Sequence, residues 1–192
     1  SSYLQSHPKL TLGEHVLIAR QVGLGLGYMH HKQLIHGDLK PDNVLVSAEG
    51  VFKVADLGMA TSVHELDDST GYRGNKLYKS PEMLLPDKQI TPDMATKCDV
   101  YSYGLLLWTI LRHDYPFSDV RQDPEALIDS VVNRGVRPQL DDSWPEELKN
   151  LITECWDADP TIRPTMVEVN ARLLRVAYQL FLVDPDLIEF WE

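Results

Sequence analysis

A chain of 192 residues with 43% hydrophobic content fits one folded domain with a sizeable core. Its formal net charge of −11 argues against a nucleic-acid partner, which would call for a basic stripe. The longest apolar run, residues 100–111, is interrupted by Ser102, Gly104 and Thr109 and is too short to span a bilayer.

In chain order, Thr11-Leu12-Gly13-Glu14 reads as a capping box. Leu12, Val16, Ala19, Val22, Gly23, Leu26 and Met29 then follow the 3.6-residue period of a helix ending near His30. Gly23-Leu24-Gly25-Leu26-Gly27 lies inside that helical pattern and lacks the final spacing of a phosphate-cradling glycine loop. Val44-Leu45-Val46 and Val51-Phe52-Lys53-Val54 flank the turn Ser47-Ala48-Glu49-Gly50 and predict a hairpin. Residues 56–82 show little periodicity and many polar side chains, the pattern of a long functional loop.

A helix over residues 96–111 is apolar nearly all round and is therefore expected at the centre. Asp123-Pro124 starts another, with Leu127, Ile128 and Val131 inward. Residues 143–146 open a third, carrying Leu148, Leu151, Ile152 and Cys155 on one face, and Thr165-Met166-Val167-Glu168 caps a last helix running towards Leu180. Cys98 and Cys155 sit in apolar helical patterns without metal-like spacing and read as reduced core thiols of a cytoplasmic protein. The fold class expected is mainly α with one small β-hairpin, undivided by repeats or linkers.

The chemistry concentrates in His36-Gly37-Asp38-Leu39-Lys40-Pro41-Asp42-Asn43 and, after the hairpin, Asp56-Leu57-Gly58. Asp38 can accept a hydroxyl proton, and Lys40 can neutralise a transferring phosphoryl group. Asn43 and Asp56 can offer oxygen ligands to magnesium. An isolated loop aspartate is usually a turn residue; the set and its spacing carry the reading.

With Ser80-Pro81-Glu82 and Asp157-Ala158-Asp159-Pro160-Thr161-Ile162-Arg163-Pro164 further on, these motifs resemble the C-terminal lobe of a eukaryotic protein kinase. The resemblance takes in residues 1–180 as a kinase domain and leaves 181–192 as a tail. Lys40-Pro41 is similar to serine/threonine kinases. Trp108, Tyr115-Pro116-Phe117 and Cys155-Trp156 resemble the tyrosine-kinase-like group, and are expected in the core.

The resemblance implies transfer of the γ-phosphoryl group of ATP, with Mg2+, to serine or threonine hydroxyls of protein substrates in intracellular signalling. It implies that Asp38 positions the nucleophile, that Lys40 stabilises charge and that Asn43 and Asp56 hold the metal. His36 is then a packed structural residue. Asp99 anchors the backbone N–H groups around His36 and Gly37, and Glu82 forms a buried bridge with Arg163. Glycine-loop and strand-lysine motifs are not found upstream of His36, so a nucleotide-covering N-terminal lobe is the expected partner in cis. A non-catalytic kinase-like scaffold is the alternative.

Four departures stand out. Leu57 replaces phenylalanine and is expected to pack as the hydrophobic middle residue; Ser80 replaces alanine. Asn75 replaces a threonine and is expected to hydrogen-bond Asp38 or Lys40. Gly37 replaces the arginine that usually meets a loop phosphate. Ser69, Thr70 and Tyr72 are the candidate phosphosites, and with Gly37 uncharged a phosphate there should organise the site poorly, while Gly37→Arg should create phosphate dependence.

Overall fold

The computed structural model describes residues 10–66, 75–85 and 89–183. Helix α1 (Leu12–His31) starts where the capping box demands. The Thr11 hydroxyl accepts the Glu14 N–H at 3.3 Å, and the Glu14 carboxylate accepts the Thr11 N–H at 2.5 Å. Val16, Ala19, Val22 and Leu26 form its buried stripe. The glycine-rich stretch in this helix is a packing surface: a Cβ at Gly23 would lie 2.6 Å from Asn170 Oδ1. Asn170 belongs to helix α6 (Met166–Val183) and its Nδ2 donates to Gly23 O at 2.9 Å, drawing the two helices together.

Short elements follow α1. Strand β1 (Leu34–Ile35) leads into the 36–43 loop, whose last three residues form a 3-10 turn, Pro41–Asn43. Strands β2 (Val44–Val46) and β3 (Phe52–Val54) pair antiparallel with Leu45 opposite Lys53. Strand β4 (Thr61–Ser62) returns to β1, setting Ile35 opposite Thr61. The two ladders tie the segment before Asp38 and the segment after Asn43 to the two flanks of Asp56.

Helix α2 (Pro81–Leu84) is one turn long. Helix α3 (Pro92–Arg112) begins four residues ahead of the sequence expectation, because Thr91 occupies the N-cap and Pro92 starts the first turn, where its missing N–H costs nothing. From Cys98 to Ile110 it is buried throughout, the central helix expected. Helix α4 (Pro124–Ile128) is capped by Asp123 but passes into a π turn, Asp129–Asn133; Leu127 and Val131 are buried, and Ile128 only half so. Helix α5 (Glu146–Cys155) turns Leu148, Leu151, Ile152 and Cys155 onto α3. Gly104 makes that approach possible, since a Cβ there would sit 2.8 Å from Cys155 Cβ. Thr165 and Glu168 cap α6 in both directions.

The result is mainly helical, as the sequence implied, with the expected hairpin β2–β3 and a second small sheet, β1–β4, that the sequence did not signal. No helix among the described residues is long and apolar enough to cross a membrane. Trp108 and Trp156 are core residues, but Tyr115 is exposed: α3 ends at His113 in the left-handed region, and the chain leaves the core there. Arg121 covers the Tyr115 ring instead, 5.0 Å from its centroid.

A fully buried ion pair ties α2 to the segment before α6. Arg163 donates to both Glu82 oxygens, at 2.5 and 2.9 Å, and both residues are 1% exposed. The remaining guanidinium donors reach Asp157 O and Lys97 O, and Cys98 Sγ donates to Glu82 Oε1. Burial alone would raise the Glu82 pKa; the Arg163 hydrogen bonds and charge outweigh it and hold the carboxyl below its ordinary value. Glu82→Ala would strand a buried guanidinium and is expected to cost about 3–5 kcal/mol, read by urea unfolding. Because the folded pKa is depressed, the carboxylate's contribution is full above the ordinary glutamate range and fades as pH falls below it. A loss under about 1 kcal/mol, the range of an exposed pair, would show that the bridge is not buried in solution.

Candidate active site

The site begins with a carboxylate in the middle of an apolar helix. Asp99 of α3 is fully enclosed, and its oxygens point at the start of the 36–43 loop. Oδ2 accepts the His36 N–H at 2.7 Å and Oδ1 the Gly37 N–H at 3.0 Å. The His30 ring, from the last turn of α1, adds Nε2 at 3.0 Å from Oδ2. Burial pushes the Asp99 pKa up, but the His30 contact and the two backbone N–H groups more than offset it, so the group is held below the usual carboxylate range. The sequence pointed to the two backbone partners; it did not single out His30, whose only signal was its place at the end of α1.

His36 is buried and makes one tautomer consistent with both its contacts. The Asp38 N–H lies 3.2 Å from Nδ1, which must accept, so Nε2 carries the proton and donates to Ala55 O at 3.0 Å. The packed, structural reading of His36 therefore fits its geometry. Ala55 N–H in turn donates to Asn43 O at 2.8 Å, fastening the residue before Asp56 to the end of the loop.

Asp38, Lys40 and Asn43 converge. Lys40 Nζ donates to Asp38 Oδ2 at 2.5 Å, and Asn43 Nδ2 donates to Asp38 O at 2.8 Å and to Oδ2 at 3.3 Å. Asp38 Oδ1 accepts a backbone N–H, that of Asn75, at 3.0 Å. Asn75 thus reaches Asp38 through its main chain, while its side-chain oxygen caps the Leu77 N–H at 2.9 Å. Burial raises the Asp38 pKa, but the Lys40 hydrogen bond, the Asn75 N–H and the charges of Lys40 and Lys79 together leave it below its ordinary value.

Asp56 stands in the left-handed region, φ 59°, a conformation that aspartate tolerates, with Oδ1 accepting the Gly58 N–H at 3.3 Å. Leu57 departs from expectation. It is 57% exposed at the head of a 3-10 turn, Leu57–Met59, and does not pack as a hydrophobic middle residue among the described residues. The donor set suits magnesium: Asn43 spends its amide nitrogen on Asp38 and its Oδ1 takes no hydrogen bond among the described residues, and Asp56 presents an exposed carboxylate.

Two residues of the site take a meaning that sequence alone did not supply. Gly37 has φ +75°, and a Cβ would lie 3.1 Å from Met59 O. Glycine here follows from the backbone. Gly37→Arg would strain the loop whatever charge it brought, so it cannot report phosphate dependence cleanly. Lys79, two residues before Pro81, is only 4% exposed, and its Nζ donates to Gly37 O. Nothing in the local pattern marks it, since a lysine in a polar loop normally faces water. Ser69, Thr70 and Tyr72 lie outside the described residues.

The chain has clear relatives. Residues 1–173 match the family described as protein tyrosine and serine/threonine kinase. Dual specificity protein kinase shkB of Dictyostelium discoideum is 33% identical over 95% of this chain and 28% of its own length. Dual specificity protein kinase shkE of the same organism is 32% identical over 94% of this chain and 25% of its own. Mitogen-activated protein kinase kinase kinase 7 of Homo sapiens is 35% identical over 78% of this chain and 24% of its own. The chain therefore spans about a quarter of the length of these curated relatives. The match over nearly all of its residues shows that this chain belongs to the protein tyrosine and serine/threonine kinase family.

Proposed function

We propose that these residues are the substrate-binding, C-terminal lobe of a serine/threonine protein kinase of the tyrosine-kinase-like group. The reaction is transfer of the ATP γ-phosphoryl group to hydroxyls of protein substrates, working with a nucleotide-covering N-terminal lobe in cis. The observation that carries the reading is the convergence of Asp38, Lys40 and Asn43 on a loop whose backbone is held by a buried carboxylate.

Each side chain has a role that its surroundings support. Asp38, kept ionised, is an acceptor for the substrate hydroxyl proton and orients the oxygen for attack; its depressed pKa suits orientation better than early deprotonation. Lys40 lies against that carboxylate and brings positive charge to the point where the phosphoryl group passes. Asn43 Oδ1 and the Asp56 carboxylate are the oxygens that would hold Mg2+. The ion, when bound, supplies neutralisation of charge on the ATP phosphates. His36, Asp99 and the Glu82–Arg163 bridge keep the loop in register and touch no reactant.

Lys40-Pro41 supports serine and threonine as acceptors, and because two relatives are named dual specificity protein kinases, tyrosine is the acceptor to measure beside them. The free, buried thiols of Cys98 and Cys155 fit a reducing, cytoplasmic setting.

The 192 residues alone are expected to bind Mg2+–ATP weakly and to turn over far more slowly than about 1 s⁻¹, since half of the phosphate-positioning machinery lies elsewhere. Turnover by the isolated chain at the rate of a complete kinase would contradict this. In the protein that carries this lobe together with its N-terminal half, Asp38→Asn should abolish phosphate transfer and leave nucleotide affinity nearly intact. Asp56→Asn should weaken magnesium-dependent nucleotide binding as well as transfer. Equal loss of ATP affinity in both variants, measured by titration, would overturn the separate roles.

A further inference from the structure

Lys79 is a buried cation beside the 36–43 loop, and unlike Arg163 it has no carboxylate in a direct ion pair among the described residues to explain the placement. Its side chain ends at the Gly37 carbonyl, its hydrogen-bond acceptor among the described residues. Three N–H donors and a full charge in a buried position are costly unless carboxylates oppose them. Asp38 and Asp99 do so: the charges of both act on Lys79, with Lys40 and Cys98 the other ionisable groups in range. Desolvation pulls the Lys79 pKa down, and the two carboxylates pull it back in part.

Asp38 and Asp99 are both buried, and each bonds the loop from a different side: Asp99 holds the His36 and Gly37 N–H groups, and Asp38 holds Lys40 and the Asn75 N–H. Two buried carboxylates flanking one glycine would repel each other through a low-dielectric interior. Lys79 supplies the charge that offsets this, and its backbone belongs to the end of the same loop that sends the Asn75 N–H to Asp38. Residues 75–79 therefore meet the 36–43 loop twice, once at Asp38 Oδ1 and once at Gly37 O.

We propose that Lys79 is a positioning residue of the site: a buried ammonium that clamps the Gly37 carbonyl, balances Asp38 against Asp99 and locks the end of the 56–82 loop onto the 36–43 loop. Its catalytic consequence rests on the reading of Asp38 as the group that orients the substrate hydroxyl. The placement itself does not, because the lock consists of the chain's own atoms.

The test separates charge from hydrogen bond. Lys79→Gln keeps a donor for Gly37 O without the charge, Lys79→Met keeps neither, and Lys79→Arg keeps both. The first readout is amide hydrogen exchange at Asn75, whose N–H closes the lock on Asp38, in the 192-residue chain, which needs no kinase activity. In Lys79→Gln and Lys79→Met the Asn75 amide should lose protection while Leu106 and Leu107 keep theirs, and Lys79→Arg should stay near the parent. The second readout is kinetic, in the protein carrying both lobes. There kcat should fall about tenfold or more in the two neutral variants, the scale of a misplaced reacting group, with KM for ATP little changed. Unchanged Asn75 protection in both neutral variants, with an active parent and unchanged kcat, would overturn the proposal and leave the kinase reading standing. Lost Asn75 protection with no transfer by the parent would do the reverse, supporting the lock and removing the function.

Discussion

The Asp99 carboxylate is the constraint from which the site follows. A charge in the middle of a buried helix is unfavourable unless every lone pair finds a donor, and here the donors are the first two N–H groups of the loop and one ring N–H. That need fixes where the loop leaves strand β1 and explains the positive φ of Gly37, whose N–H must turn towards α3. The loop then runs on to Asp38, Lys40 and Asn43 with few degrees of freedom left. Preorganisation of this kind is what phosphoryl transfer asks of a protein, since positioning and charge supply most of the catalysis.

The buried charges are distributed in two clusters. Around Gly37, Asp38 and Asp99 face Lys40 and Lys79; below, Glu82 faces Arg163 over the Tyr101 ring. Segment 75–82 belongs to both, with Asn75 and Lys79 at the upper cluster and Glu82 at the lower. A single stretch of chain thus joins the site to the helical body through two kinds of contact, neutralised ammonium and bidentate guanidinium.

Most of the helical plan could be read from the residues because periodicity and caps are local. Thr11 with Glu14 and Thr165 with Glu168 mark helix starts that the structure keeps. The start of α3 was missed because Pro92 sits between polar residues that carry no apolar stripe. The π turn after Ile128 leaves no signature in hydrophobic spacing. For the site, the residues in the contiguous motif and the distant partners Asp99 and Arg163 were all recognisable from the family resemblance. His30, the exposure of Leu57, the use of the Asn75 main chain and the burial of Lys79 depend on which groups come together in three dimensions, and no spacing rule encodes that.

The most direct measurement concerns Asp99 itself. Asp99→Asn keeps the shape of the side chain but replaces one acceptor with a donor, so the His36 and Gly37 N–H groups can no longer both be satisfied. Amide hydrogen exchange, residue by residue, should show His36 and Gly37 losing protection while amides deep in α3, such as Leu106 and Leu107, keep theirs. Unchanged protection at His36 and Gly37 would contradict the claim that one buried carboxylate holds the loop in place.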